Sequence, residues 1–171
     1  GAEVMLVSGP VSLSPIPEVK IDYIESADEM ESVVTQHAPS ADYIFMASAV
    51  SDYLPNKVAD NKMKRSKKYL TLDLKLAPDI LISIKDKTNA VITAFCLETQ
   101  DGEKEAKRKL RKKGVDFMIL NYANEEGAGF DSSTNRVIIF SKDGSRFELN
   151  KDRKDRISEK IFAHIIQPSQ Q

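Results

Sequence analysis

Short apolar runs alternate with stretches of helical periodicity, and this alternation constrains the fold more than any other feature of the sequence. The runs EVMLVS, YIFMAS and AVITAFC have the length and composition of buried strands, whereas GEKEAKRKLRKK has the periodicity of a helix. Two further runs, RVIIF and RFEL, flank a turn at Asp143–Gly144 and predict an antiparallel hairpin. The sequence therefore predicts an α/β fold with a doubly wound, mostly parallel, Rossmann-like sheet and a small antiparallel hairpin.

Several residues indicate where helices begin. Ser26 and Glu29 have the spacing of a capping box, which predicts a helix that runs toward His37. Pro78 lies near the expected first turn of a helix in APDILISIKDK. Asn150 is a candidate cap for a final helix that ends in EKIFAHII.

A strand of a different kind is predicted at YLTLDLKL. Its leucines, at positions 70, 72, 74 and 76, alternate with polar residues. This pattern favours a strand with one face packed on the protein and the other face exposed to solvent.

The size and charge of the chain exclude several classes of protein. Its 171 residues favour one domain over residues 1–171, and the formal net charge of -1 argues against a generally basic nucleic-acid binder. The apolar runs are too short to cross a membrane and no signal peptide opens the chain, so a cytoplasmic location is expected. With one cysteine, Cys96, and two histidines, neither a disulfide nor a metal site is predicted, and Cys96 is expected to be buried.

Polar loops follow several predicted strands, and ligands of doubly wound sheets bind at such loops. Asp52 closely follows the third strand and could bind a ligand hydroxyl or a metal-bound water, although a turn residue that accepts its own backbone N–H fits equally well. Beyond it, five of the seven residues from Lys62 to Lys68 are lysine or arginine. Lys62, Lys64 and Arg65 could close over a phosphate group, although a solvated loop has the same composition.

Three other groups could contact the same ligand. Lys109 and Lys113 share one edge of a predicted helix, which is also typical of an ordinary charged face. Phe95 ends a buried strand, where it could stack on a base or pack in the core. The helix start at Pro78–Asp79 offers backbone N–H groups, as every helix start does. Because no nucleophile–base pair is readable, we expect electrostatic catalysis of a reaction on a nucleoside triphosphate.

Seven strings of the sequence, taken in order, resemble the phosphopantothenate–cysteine ligase domain, also called phosphopantothenoylcysteine synthetase. They are SGPVSL, ASAVSDYLP, NKMKR, APDIL, AFCLET, AKRKLRKKGVDFMILN and GFDSSTNRV. The resemblance covers nearly the whole chain. In bacteria this domain is often fused behind a flavin-dependent decarboxylase of the same coenzyme A pathway, and the sequence leaves such a fusion open.

The resemblance implies a two-step ligation in coenzyme A biosynthesis. The carboxylate of 4'-phosphopantothenate attacks the α-phosphate of CTP and releases pyrophosphate. The amine of cysteine then displaces CMP from the acyl-cytidylate and forms the amide. The resemblance further implies Mg²⁺ and a homodimer, while the choice between CTP and ATP stays open.

Residues are assigned to this reaction by matching position with the family. Met46, Ala47 and Ser48 match the segment that approaches the nucleotide, and Asp52 matches a nearby acidic contact. Lys62 matches the first lysine of a mobile flap that closes on the phosphates, which makes it the implied catalytic residue. The other matches are the base-reading segment Pro78, Asp79, Ile80 and Leu81, the aromatic contact Phe95, and the helix lysines Lys109 and Lys113.

Two departures from the family pattern are visible. The flap reads Lys62-Met63-Lys64-Arg65, so an arginine replaces its last lysine and changes the donor geometry. Family members also begin with a βα unit that carries a Gly-rich turn, and with an asparagine that holds the acyl-nucleotide. Since these residues lack both features, we expect a ligase domain without its first βα unit.

Two other functions stay open at this point. A Rossmann-like nucleotide-binding module without turnover has the same sheet and the same basic loop. Nucleic-acid contact through that loop is disfavoured by the near-neutral total charge and by the lack of aromatic residues among the lysines.

Overall fold

The computed structural model describes residues 1–59, 61–64, 69–122 and 133–166. In chain order its strands are β1 (Met5–Ser8), β2 (Lys20–Tyr23), β3 (Tyr43–Met46), β4 (Tyr53–Pro55), β5 (Leu74–Leu76), β6 (Val91–Glu98), β7 (Phe117–Tyr122), β8 (Thr134–Ser141) and β9 (Arg146–Arg153). Its α-helices are α1 (Ala27–His37), α2 (Ile80–Ile84), α3 (Gly102–Lys113) and α4 (Lys154–Ile165), and a short 3-10 helix spans Ala38–Ser40. Within the described ranges, no helix is long and apolar enough to cross a membrane.

The chain divides into two compact units. Unit 1 contains Gly1–Ser40 and Ala49–Lys87, and unit 2 contains Ala41–Ser48 and Thr88–Gln171. Because two compact units can together form one domain, the prediction of one ligase domain over residues 1–171 stays a prediction.

Unit 2 is built on a five-stranded sheet in the spatial order β3-β6-β7-β8-β9. β3, β6 and β7 run parallel, whereas β8 is antiparallel to both of its neighbours. The predicted α/β class is confirmed, and β8 and β9 form the predicted antiparallel hairpin. The sheet is mixed and not mostly parallel, because β8 is also antiparallel to β7. The reason is that β8 is buried from Val137 to Ser141, so the hairpin supplies an interior strand of the sheet.

Helices cover both faces of this sheet. On one face, Ile157 and Ile161 of α4 pack with Ile119 of β7 in one core cluster. On the other face, Ala106 and Leu110 of α3 are buried against the sheet. The four-residue spacing places each pair on one side of its helix, so the predicted layering of helices on both faces is confirmed.

Unit 1 contains two small sheets. β1 and β2 form a parallel pair, and β4 and β5 form an antiparallel pair in which Tyr53 lies opposite Leu76. α1 and α2 pack against each other in the same unit. Ser26 caps α1 as predicted, because its Oγ accepts a hydrogen bond from the N–H of Glu29 at 3.2 Å.

The start of α4 differs from the prediction. The helix follows directly after β9, so Asn150 lies inside that strand and does not cap the helix. The cause is the β8–β9 ladder, which continues until Arg153 pairs with Thr134. Pro78 lies one residue before Asp79, the cap of α2, which is near the first turn as predicted.

The run YLTLDLKL also differs from the prediction. It is a strand only over Leu74–Leu76, and its leucines are exposed, from 50% for Leu74 to 73% for Leu76. The predicted packed face is wrong because β5 pairs only with the three-residue β4. A sheet of two short strands has no core of its own.

Candidate functional site

In unit 2, β3 ends at Met46 beside the parallel strand β6, which continues past Ala94 to Glu98. Their parallel register pairs Met46 with Ala94, which places Met46 beside the predicted contact Phe95. Ala47 and Ser48 continue beyond β3 and are exposed, and Ser48 Oγ lies 3.3 Å from Met46 Sδ. Met46, Ala47 and Ser48 therefore lie at the carboxyl end of β3, where parallel sheets bind ligands. Phe95 does not end its strand as predicted, because β6 continues to Glu98.

Phe95 and Cys96 point to opposite faces of the sheet, as successive residues of a strand do. Phe95 is half-buried and packs, together with Phe45, on the core cluster that includes α4. Cys96 is buried, as predicted, and this burial raises the pKa of its thiol to about 12. Because the thiolate is the reactive form of cysteine, Cys96 is a packing residue at neutral pH.

The start of α3 is held closely against the sheet. Gly102 lies so near Tyr122 that a Cβ atom on this glycine would come within 2.8 Å of the tyrosine ring. The next residue, Glu103, accepts a hydrogen bond from Arg146 of β9 at 2.9 Å. This bond from Arg146 lowers the pKa of Glu103, so the carboxylate stays ionised and the link persists at neutral pH. These two contacts hold the helix backbone against the sheet, and with it the backbone positions of the lysines on α3.

Lys109 of α3 forms an ion pair with Glu98, the last residue of β6. Lys109 Nζ lies 2.6 Å from Glu98 Oε1, and the two side chains are 35% and 17% exposed. Lys113 is half-buried one turn further along the helix and makes other contacts. The ammonium group of Lys109 is thus held at the carboxyl end of β6, on the face of Cys96 and opposite to that of Phe95.

In unit 1, Asp52 is linked to the segment that precedes Pro78. The backbone N–H of Ala77 donates a hydrogen bond to the carbonyl oxygen of Asp52 at 2.9 Å. The Asp52 side chain is exposed and has no hydrogen bond or ion pair with the part of the chain that the structure describes. The alternative of a carboxylate occupied by its own turn is therefore not observed, and the group is open to a ligand.

The predicted base-reading segment, residues 78–81, forms the start of α2. Asp79 caps the helix, because its Oδ1 accepts a hydrogen bond from the N–H of Ile82 at 3.4 Å. Ile80 is buried, whereas Pro78 and Leu81 are half-buried. Ile80 therefore anchors the segment in unit 1.

The basic loop is described only at its start. Lys62 and Lys64 are exposed, and neither forms an ion pair with a described residue. Arg65, Lys67 and Lys68 lie outside the described residues. The phosphate contact of Lys62 stays a prediction, as do the roles of the other matched residues.

Two polar groups at strand ends have no assigned role in the sequence-based prediction. Glu98 lies in the string AFCLET, and its only sequence signal is a charge at the end of an apolar strand, where a buried carboxylate needs a partner. Asn135 Nδ2 donates to Asn121 Oδ1 at 3.2 Å and joins the end of β7 to the start of β8. Such pairs depend on strand register and helix docking, which a single sequence does not specify.

The chemistry of these groups is electrostatic. Unit 2 offers the ammonium groups of α3, and unit 1, taken by itself, offers an open carboxylate and exposed lysines. Ammonium groups can hold a phosphate group by charge. Across residues 1–59, 61–64, 69–122 and 133–166, no three His, Cys, Asp or Glu side chains converge to hold a metal ion.

Known proteins resemble this sequence along nearly its whole length. The family described as DNA/pantothenate metabolism flavoprotein C-terminal domain matches residues 1–169. The chain is 38% identical over 174 residues to the coenzyme A biosynthesis bifunctional protein CoaBC of Bacillus subtilis (strain 168), covering 100% of the chain and 43% of that protein. It is 32% identical over 169 residues to a cysteine/cysteine sulfinic acid decarboxylase from an unknown prokaryotic organism, covering 97% of the chain and 47% of that protein. The chain therefore spans less than half of the length of these curated relatives.

The likeness extends to three-dimensional structure. The crystal structure of the C-terminal domain of a coenzyme A biosynthesis bifunctional protein CoaBC superposes on the chain with a TM-score of 0.78 and 33% sequence identity. The match covers 96% of this chain and 75% of that one. Sequence and fold thus lead to the same group of proteins.

Proposed function

The chain belongs to the family of DNA/pantothenate metabolism flavoprotein C-terminal domains, and on this basis we propose that it joins 4'-phosphopantothenate to cysteine in coenzyme A biosynthesis. The observation that carries the proposal is similarity to a CoaBC protein over 100% of the chain, at 38% identity. The strings SGPVSL, ASAVSDYLP, APDIL and AFCLET support it further, because they fall at strand ends and at the start of α2, where nucleotide sites are built.

The proposed reaction has two steps. A carboxylate oxygen of 4'-phosphopantothenate attacks the α-phosphorus of CTP, and the bond to pyrophosphate breaks. The amine of cysteine then attacks the acyl carbon, CMP leaves with the bridging oxygen, and the amide forms as the amine loses a proton. Both steps move negative charge onto phosphate oxygens, which cations stabilise.

The residues of unit 2 contribute cations and an aromatic surface to this reaction. Lys109 and Lys113 bind phosphate oxygens, Phe95 contacts the nucleotide, and the backbone of Ala47 and Ser48 beyond β3 approaches it. The support is the location of Ala47 and Ser48 just beyond β3, and the ion pair that holds the Lys109 ammonium at the end of β6.

The residues of unit 1 contribute the flap, the acidic contact and the base-reading segment. Lys62 stabilises the charge on the α-phosphate, and Asp52 accepts a hydrogen bond from the nucleotide. Residues 78–81 read the base through their backbone. The exposed, unpaired state of Lys62 and Asp52 among the described residues supports these roles, since neither group must first break an ion pair.

The nucleotide is CTP in this proposal, with ATP as the alternative, and it binds together with Mg²⁺. Mg²⁺ is commonly bound by substrate phosphates and one or two carboxylates, and the open Asp52 carboxylate is a group of this kind. When bound, the ion neutralises phosphate charge. The lysines named above orient the triphosphate and stabilise the charge that develops.

We also propose that the protein is a homodimer that acts in the cytoplasm, within a chain that carries a flavin-dependent decarboxylase. The support for a dimer is an apolar surface on β4 and β5, formed by Tyr53, Pro55, Leu74 and Leu76 and here called the β4–β5 apolar face. Tyr53 is 59% exposed and Leu76 is 73% exposed. Exposed apolar surface of this kind is unfavourable in water and is typical of an interface.

The test is a turnover assay on the full-length protein with CTP or ATP, Mg²⁺, phosphopantothenate and cysteine. We expect pyrophosphate and the cysteine amide in equal amounts, and no pyrophosphate without phosphopantothenate. A non-catalytic binding module would bind the nucleotide without releasing pyrophosphate. Release of CO₂ from cysteine without a nucleotide would instead favour the activity named for the second relative.

A further inference from the structure

The ion pair of Glu98 and Lys109 is less exposed than the other described ion pairs of α3, including the one that joins Glu103 to Arg146 of β9. Arg108 and Glu105 also pair on this helix, at 2.8 Å, but their side chains are 52% and 32% exposed. Glu98 is only 17% exposed and comes from the sheet, so its pair joins the end of β6 to α3. A partly buried pair between two elements restricts side-chain motion more than a surface pair within one helix does.

The backbone of α3 is fixed, but a lysine ammonium is not fixed by its backbone. The four-carbon stem of lysine can adopt many rotamers, whereas a hydrogen bond to a held carboxylate selects a few of them. Glu98 is itself held, because its backbone pairs in register with Tyr122 of β7 and its side chain is only 17% exposed, which limits its rotamers. Its carboxylate therefore restricts the Lys109 ammonium to the carboxyl end of the strand.

An ammonium group can serve two partners at once. It has three N–H donors, and Glu98 Oε1 accepts one of them at 2.6 Å. The remaining donors can point to phosphate oxygens without loss of the ion pair. Cys96 does not compete as an anion, because its buried thiol stays protonated at neutral pH.

We propose that Glu98 is a positioning residue that holds the Lys109 ammonium in place for the charge that develops on the nucleotide phosphate. This inference rests on the proposed ligase function. Glu98 touches neither substrate nor nucleotide, and it acts only through Lys109.

A positioning role and a purely electrostatic role predict different kinetics. If Glu98 only repelled the triphosphate, its neutralisation would tighten nucleotide binding and leave the chemical step unchanged. If Glu98 holds Lys109 for the transition state, its neutralisation slows the first chemical step. The lost repulsion then offsets any weakening of nucleotide binding, so KM changes little.

The experiment measures the single-turnover rate of pyrophosphate release by the full-length protein. In Glu98→Gln we expect this rate to fall about three- to tenfold, the range that corresponds to holding one long side chain in place. KM for the nucleotide should change by less than about twofold, since the two effects on binding oppose each other. Glu98→Asp, which keeps the carboxylate on a shorter stem, should show an intermediate rate.

Two further variants separate positioning from a general effect on structure. Glu105→Gln removes the carboxylate of a surface pair on the same helix and should keep the wild-type rate. In a Lys109→Gln background, Glu98→Gln should slow the reaction no further, because there is no ammonium left to position. If Glu98→Gln slows the reaction by the same factor in the Lys109→Gln background as in the wild type, the proposal is wrong.

The outcomes also separate this inference from the proposed function. If the wild-type protein releases pyrophosphate and Glu98→Gln releases it at the same rate, only the positioning role is wrong. If Glu98→Gln lowers KM and leaves the rate unchanged, Glu98 only repels the triphosphate and the positioning role is wrong. If the wild-type protein releases no pyrophosphate with either nucleotide, the proposed function and this inference both fail.

Discussion

The backbone N–H of Ala77 donates a hydrogen bond to the carbonyl oxygen of Asp52 at 2.9 Å, which joins one predicted nucleotide contact to the residue just before another, Pro78. Asp52 is thus held by its main chain beside the segment that enters α2. Its carboxylate plays no part in this bond, so it can be removed without loss of the link.

We therefore expect Asp52→Asn to impair activity without reducing stability. Loss of a hydrogen bond to a charged group corresponds to about 1.5–3 kcal/mol, so kcat/KM for the nucleotide should fall by roughly tenfold or more. The thermal midpoint should stay unchanged, because the exposed carboxylate has no partner among the described residues. Asp86→Asn, on another exposed aspartate, is the matched control and should behave as wild type.

Lys62→Gln tests the basic loop. If the Lys62 ammonium stabilises charge on the α-phosphate, kcat should fall by roughly 10²-fold, the usual effect of losing one preorganised donor. Circular dichroism should show an unchanged fold, since Lys62 is exposed. Lys57→Gln removes an exposed lysine of the same unit and should have a much smaller effect. Equal losses in both variants would mean that these lysines act only as diffuse positive charge.

Thr93 offers a test of stability that does not depend on function. Its side chain is fully buried, and its Oγ1 has no hydrogen-bond partner among the described residues. Thr93→Val keeps the shape and removes the unpaired hydroxyl, so the free energy of unfolding should rise by about 1 kcal/mol. Urea denaturation measures the change. Thr93→Ala leaves a cavity and should be less stable than Thr93→Val, and a Thr93→Val protein less stable than the wild type would show that the hydroxyl is paired.

The β4–β5 apolar face provides a test of the dimer. Leu74 and Leu76 lie on this face, and replacement of both by lysine puts like charges at the proposed interface. We expect the variant to sediment as a monomer in analytical ultracentrifugation at concentrations where the wild type is a dimer. Lys75→Glu changes a charge on the opposite face of the same strand and should leave the dimer intact. A dimer that persists in the double variant would place the interface elsewhere.

Features that depend on neighbouring residues could be predicted from the sequence. Ser26 and Glu29 predict the start of α1 because a capping bond closes within one turn of helix. The turn at Asp143–Gly144 is also local, since Gly144 adopts a φ of 92° that favours glycine. Cys96 could be assigned to the core because its whole run is apolar.

Features that depend on distant partners could not be predicted in the same way. β8 is antiparallel to β7 because residues such as Ile119 and Ile139 pair across the two strands. No local sequence pattern distinguishes this antiparallel pairing from a parallel one. Asn150 has the composition of a helix cap, but the ladder with β8 extends the strand past it. The role proposed for Glu98 depends on where α3 packs, which only the three-dimensional structure provides.

The central claim is that ligation proceeds through an acyl-nucleotide, and the course of one oxygen atom tests it directly. The full-length protein is given phosphopantothenate with both carboxylate oxygens replaced by ¹⁸O, together with CTP, Mg²⁺ and cysteine. Mass spectrometry then measures the label in CMP. The proposed mechanism places one ¹⁸O in each CMP phosphate and leaves the other in the amide product, because the attacking oxygen departs with CMP. Amide formation with unlabelled CMP, or with CDP in its place, would contradict this account.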